Sequence, residues 1–162
     1  MARIALAAAL AIAMATPSVT FAKVSSDATP GVNFADYKTF YFVNPGPPAG
    51  MDPVAYERIR MAVEQGLTSK GYTKADSGDL ALIITVGAKD KTDIDTWGAF
   101  GRQVDVHQYT EGQLSVDAFD AKTKRPLWHG RAVDDVGSKI NPEKIDKEVG
   151  KLMAQFPARS AA

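Results

Sequence analysis

The sequence predicts an α+β fold: one two-layer domain in which a four-stranded mixed sheet carries two helices on one face, in the order β-α-β-β-β-α. Three observations lead there. Two segments place apolar residues at helical spacing directly behind their own capping residues, and four others are short and either alternating or wholly apolar, as strands are. The 162 residues are 45% hydrophobic and 23% charged, the make-up of a single ordinary globular domain.

The domain is expected to start some way into the chain. Met1-Ala2-Arg3 is a weakly positive start, Ile4 to Ala15 is an unbroken apolar run, and Pro17 interrupts it. Thr20-Phe21-Ala22 places small residues where a signal peptidase reads, so 1–22 is expected to be a leader cleaved before Lys23. The run is too short to span a bilayer. Residues 23–35 are polar with Pro30-Gly31 and read as a flexible tether, 36–157 as the domain, and 158–162 as a disordered tail.

Within the domain, Thr39-Phe40-Tyr41-Phe42-Val43 is an aromatic, β-branched strand. The Pro- and Gly-rich stretch 44–50 can continue no regular element. Asp52 then caps a helix with Pro53 at its first position, and Tyr56, Ile59, Val63 and Leu67 form its buried stripe. Gly71 suits a left-handed stop, with Tyr72 folding back on Leu67. Gly66, costly inside a helix, suggests close approach to the sheet. Residues 79–87 are apolar on both faces and predict a central strand. The pattern then breaks from Lys89 to Gln108, which reads as a long loop.

Alternation resumes at Gly112 with Leu114, Val116 and Ala118, Phe119 being the exception. The polar turn 120–126 leads to a partner strand over 127–136 with Trp128, Gly130 and Ala132 on one side. Asn141 caps the last helix, Pro142 opens it, and Ile145, Val149, Leu152 and Phe156 make its stripe. The first strand and helix form a crossover and the last three strands an antiparallel meander. Thr39, Tyr41, Val43, Ile83, Phe119 and Val133 are left on a sheet face with no second layer, a surface that a loop covers or a partner meets.

These segments also carry a resemblance. Asp36-Tyr37-Lys38-Thr39-Phe40-Tyr41, Leu67-Thr68-Ser69-Lys70-Gly71-Tyr72, Asp79-Leu80, and Tyr109-Thr110-Glu111-Gly112 through Asp120-Ala121-Lys122-Thr123-Lys124 to Leu127-Trp128-His129-Gly130 resemble the bacterial envelope family called domain of unknown function 4136, from about Phe34 to Pro157. The resemblance implies an envelope address and an α+β fold, and no substrate. Many members are lipoproteins, whereas this chain has no cysteine to carry a lipid, so no stable membrane anchor is expected.

Composition also bounds the chemistry. With no cysteine, disulfides and thiolate sites are excluded, and with only His107 and His129 a three-histidine zinc site cannot be built in one chain. Nineteen basic residues balance nineteen acidic ones, which argues against nucleic acid as a partner. The carboxylate pairs Asp93/Asp95 and Asp134/Asp135 lack a fixed separation, and the calcium-loop pattern fails at glycine and valine where a glutamate is needed. Ser115 sits inside an alternating strand rather than on a nucleophile elbow, and His129 reads as an outward imidazole near Asp117.

The expected function is therefore a noncatalytic, exported binding module, periplasmic or secreted, without cofactor or metal. Its partner would be an envelope protein, a peptide or a glycan, met by the open sheet face and the 89–108 segment. Trp97, Phe100, Arg102 and His107 are the candidate contact residues, since aromatic and arginine side chains dominate interface energies. Trp97 and Phe100 could equally fold down as a lid over the open face. The alternative is a hydrolase using loop carboxylates and a histidine, and it requires a carboxylate within reach of a histidine inside a concavity. Export is testable directly: N-terminal sequencing of exported protein is expected to begin at Lys23, and a cytoplasmic product starting at Met1 would refute it.

Overall fold

Each helix begins where its cap is written. The Asp52 side chain accepts from the Val54 N–H ahead of α1 (Pro53–Ser69), and the Asn141 side chain accepts from the Glu143 N–H ahead of α2 (Pro142–Ala154). The computed structural model of the chain describes residues 23–97, 103–135 and 141–159, with the backbone alone at 90–97, 103–110 and 135. The expected leader, 1–22, lies outside the described residues. α1 ends as expected. Gly71 has φ +91, its N–H donates to the Thr68 carbonyl at 3.0 Å, and the Tyr72 N–H donates to the Leu67 carbonyl at 3.2 Å. Leu67 and Tyr72 are both buried in the core, the apolar contact that accompanies this type of stop.

The sheet corrects the expectation of four strands. It has six, β1 (Lys23–Ala28), β2 (Thr39–Phe42), β3 (Thr73–Lys74), β4 (Leu80–Trp97), β5 (Gln103–Asp120) and β6 (Pro126–Asp135), in the order β1-β6-β5-β4-β2-β3. The β2-α1-β4 crossover is parallel and β4-β5-β6 is an antiparallel meander, both as the sequence predicts. The additions are at the edges. Residues 23–28, read as tether, pair antiparallel with β6, and the two-residue β3 pairs with β2. A short 3-10 turn at Phe34–Asp36 then buries Phe34 against Phe156. At the other end Arg159 N–H donates to the Lys70 carbonyl at 3.1 Å, and 160–162 lie outside the described residues.

A second correction concerns 89–108. Residues 89–97 and 103–108 are not loop, since β4 and β5 continue in unbroken antiparallel register from Lys89↔Glu111 to Trp97↔Gln103; 98–102 lie outside the described residues. A third concerns Gly66, whose missing side chain accommodates α2 rather than the sheet. A Cβ there would lie 2.6 Å from the Met153 Cβ, so any larger residue would push the two helices apart.

The core lies between the helices and one face of the sheet. Phe40, Leu80, Leu82, Ile84, Val116 and Ala118 meet Tyr56, Ile59, Val63, Leu67, Val149 and Leu152. A bulge opposite Ala118 and Phe119 adds one residue to β6, and it lets the successive residues Leu127 and Trp128 both enter this core. Gly130 lies under the indole, where a Cβ would come within 2.0 Å of Trp128 ring atoms. Trp128 pairs with Ala118, is 3% exposed and packs on Phe156 at 4.8 Å between ring centroids. Trp128→Ala is therefore expected to cost about 3–5 kcal/mol in denaturant unfolding, and a loss near zero would place the ring outside the core.

Between β2 and β4, Asp79 acts as a clamp. One carboxylate oxygen accepts from the Lys38 N–H at 2.8 Å, the Thr39 N–H at 3.0 Å and the Thr39 hydroxyl at 3.1 Å. These donors, the Lys38 N–H first among them, hold the Asp79 carboxyl below its ordinary value against the opposing effect of burial. On acidification the unfolded chain takes up this proton before the folded one does. The contribution is thus whole above the ordinary carboxylate range and is lost as pH falls below about 4. Asp79→Ala is expected to lower the melting temperature at pH 7 and to flatten its fall below about pH 4, measured by calorimetry across that range. An unchanged acid profile would remove Asp79 from the account.

Candidate functional site

With both helices on one side, the opposite face of the sheet is the surface left for function. Thr39, Tyr41, Ile83, Phe119 and Val133 are half-buried there and Val43 is exposed, with no further layer over them among the described residues. The face is less apolar than the sequence suggests, because β5 and β6 bring polar side chains across it in pairs. Asp117 stands opposite His129 and Ser115 opposite Arg131 in the register, and Gln113 is one step further along β5. A carboxylate oxygen accepts, so His129 Nδ1–H donates to Asp117 Oδ1 at 2.6 Å. The Arg131 guanidinium donates to Gln113 Oε1 at 2.9 Å. A shallow polar depression beside them is lined by Thr85, Lys89, Glu111, Gln113 and Arg131.

The expected proximity of His129 to Asp117 is therefore present. What it can do is limited by its setting: the imidazole is 52% exposed, it lines neither the polar depression nor the cleft beside the helices, and no hydrogen bond joins it to Ser115 among the described residues. A base needs both a proton to take and a site from which water is excluded. Neither accompanies this pair. Asp134 is drawn into a different contact, an ion pair with Lys144 at 3.1 Å. Among the described residues no group of three or more His, Cys, Asp or Glu side chains is placed to hold a metal ion.

The remaining candidates lie on or beyond the far half of the hairpin. Trp97 is the last residue of β4, paired with Gln103, and His107 is paired with Asp93. Phe100 and Arg102 lie outside the described residues, as does the tip they share. The backbone there has a distinctive setting. β2 accompanies β4 only as far as Leu82, followed by the Val43 N–H to Leu82 carbonyl bond at 2.8 Å and the Ile84 N–H to Asn44 side-chain bond at 2.8 Å. β6 accompanies β5 only from Glu111 onward. The eight pairs from Asp90↔Thr110 to Trp97↔Gln103 thus form a ribbon of about 25 Å with no strand on either side among the described residues. Sequence reasoning missed both the ribbon and the Gln113–Arg131 pair. The alternation of Gln113 with Leu114 gave a signal for the second, and Asp93-Ile94-Asp95-Thr96 with Val104-Asp105-Val106-His107 gave a similar one for the first.

Comparison with known proteins agrees with this architecture. A DUF4136 family protein from Bacteroides thetaiotaomicron superposes with a TM-score of 0.59 at 16% identity, covering 86% of this chain and 97% of that one. A PDZ domain protein from Parabacteroides distasonis gives a TM-score of 0.58 at 18% identity over 85% of this chain, which corresponds to only 36% of that protein. PelC from Paraburkholderia phytofirmans, a dodecamer, gives 0.55 at 14% identity, covering 86% of this chain and all 100% of PelC. At such identities the likeness is one of fold. No curated protein matches the chain. The family match is direct, for the domain of unknown function DUF4136 aligns with residues 24–158, and the chain belongs to that family.

Proposed function

We propose that the chain is a noncatalytic exported protein of the bacterial envelope, periplasmic or secreted, that works by binding through its open sheet face and the β4–β5 ribbon. The observation that carries this reading is the ribbon. An isolated pair of strands is marginal in water, and its free N–H and C=O groups form an edge that another chain can extend. A partner that pairs with or packs on the ribbon gives its backbone a reason to stay extended. The dodecamer among the proteins of like fold supports a second copy of the chain as that partner; an envelope peptide or glycan meeting the polar pairs Asp117–His129 and Gln113–Arg131 is the other occupant of the same surface.

A catalytic role gains no support from the geometry, since the histidine–carboxylate pair is exposed and lies outside a cleft. Export is supported by the apolar run 4–15 with small residues before Lys23, and the lack of cysteine favours a product without a lipid anchor. No helix among the described residues is long and apolar enough to cross a membrane.

The test shortens the hairpin by joining Lys89 to Glu111, which face each other in the register, through an Asn-Gly turn. The shortened protein is expected to melt close to the parent and to run as a monomer in sedimentation where the parent is multimeric, with capture of envelope components also lost. Identical mass and identical captured material for parent and variant would contradict the proposal.

A further inference from the structure

Between the N-terminal ends of α1 and α2 the helices do not fully cover the sheet, and a cleft of about 400 Å³ opens there. Its floor is Val86, Leu114 and Ala132, and its walls include Ile59 from α1 and Ile145 and Val149 from α2. The volume falls in the range of small-molecule sites, about 300–1,000 Å³. One polar group gives this apolar space a direction. The Glu148 side chain lines the cleft and is 13% exposed; its Oε1 accepts from Lys151 Nζ at 2.7 Å, while Oε2 is buried with no hydrogen-bond partner. A buried carboxylate oxygen without a donor is unfavourable, and such groups are rare enough in folded proteins to require an explanation.

Charge around the cleft selects the kind of donor. Among the described residues its lining holds Asp52, Asp134 and Glu148 against the single cation Lys144. The positive ends of the two helices oppose this in part, but the Asp52 and Asn141 side chains already accept from N–H groups there. A cationic donor suits the position better than an anion does.

We propose that this cleft binds an amphiphile with a primary ammonium head, its alkyl chain lying between Ile59, Val86, Leu114 and Ile145 and its ammonium hydrogen-bonded to Glu148 Oε2. The inference does not rest on the ribbon or on the open face, although Gln113 lines both this cleft and the polar depression.

Decylammonium, decanol and decanoate, each below its micelle concentration, are the probes. They are titrated into the protein by calorimetry while the methyl signals of Ile59, Val86, Leu114 and Ile145 are followed by NMR. Decylammonium is expected to move those methyls saturably and to bind at least about tenfold more tightly than decanoate. Glu148→Gln is expected to remove that preference while leaving decanol binding unchanged, and Ala55→Phe, which fills the wall of the cleft, to abolish all three. Absence of saturable shifts at these methyls in the parent protein, shifts confined to other residues, or decanoate binding as tightly as decylammonium would each overturn the proposal. The parent protein alone decides this, so the outcome does not depend on how well either variant folds.

Discussion

The fold turns on one ring. Phe156, just beyond α2, meets Trp128 at 4.8 Å, Tyr72 at 5.5 Å and Phe34 at 5.8 Å between centroids, all at steep angles. Such edge-to-face contacts are favoured by the ring quadrupoles and add to the burial of large apolar surfaces. Through Phe156 the third meander strand, the stop of α1, the turn at Phe34–Asp36 and the end of α2 share one core. The Tyr72 hydroxyl donates to the Pro157 carbonyl at 3.0 Å, and burial pushes its pKa up to about 12, so the phenol stays neutral while it holds the chain leaving α2. A helix pair anchored in this way is committed to one side of the sheet.

That commitment determines what is left for function. Both helices are used on one face, so the other must be polar, covered or met by something else. The structure uses the first solution in part, through Asp117–His129 and Gln113–Arg131, and leaves Tyr41, Ile83, Phe119 and Val133 half-buried between them. The ribbon is a separate consequence of topology. β4 and β5 are both 18 residues long, whereas β6 has 10 and β2 has 4, and the excess has no neighbour within the described chain. Association on such a surface needs only complementary shape and unpaired backbone.

Most of what lies under the helices was legible in the sequence. Asp52 and Asn141 mark their helix starts because short polar side chains satisfy the first N–H groups, and the stripes from Tyr56 to Leu67 and from Val149 to Phe156 follow from burial of one face. What failed to show was structure without a buried face. β1 reads Lys-Val-Ser-Ser-Asp-Ala because it is an edge strand with little but Val24 turned to the core. The stretch 89–108 carries a weak period of two, Thr92, Ile94 and Thr96 against Asp93 and Asp95 and then Val104 and Val106 against Asp105 and His107, which the charged residues and the glycines at 98 and 101 masked. Gly66 signalled a close approach without saying to what, and the bulge beside Phe119 breaks the alternation that would have put Leu127 on the face opposite Trp128. For the open face, the Asp117–His129 pair was visible in the spacing, but its exposure was not.

The central proposal is that another molecule, a second copy of the chain in this reading, completes the ribbon edges that no strand among the described residues covers. Amide hydrogen exchange over 90–97 and 103–110, followed from dilute to concentrated protein, addresses it most directly. The account predicts slow exchange along 80–84 at every concentration, and protection along the ribbon that rises with concentration and vanishes on dilution. Ribbon amides whose exchange is independent of concentration, whether fast or slow throughout, would contradict it.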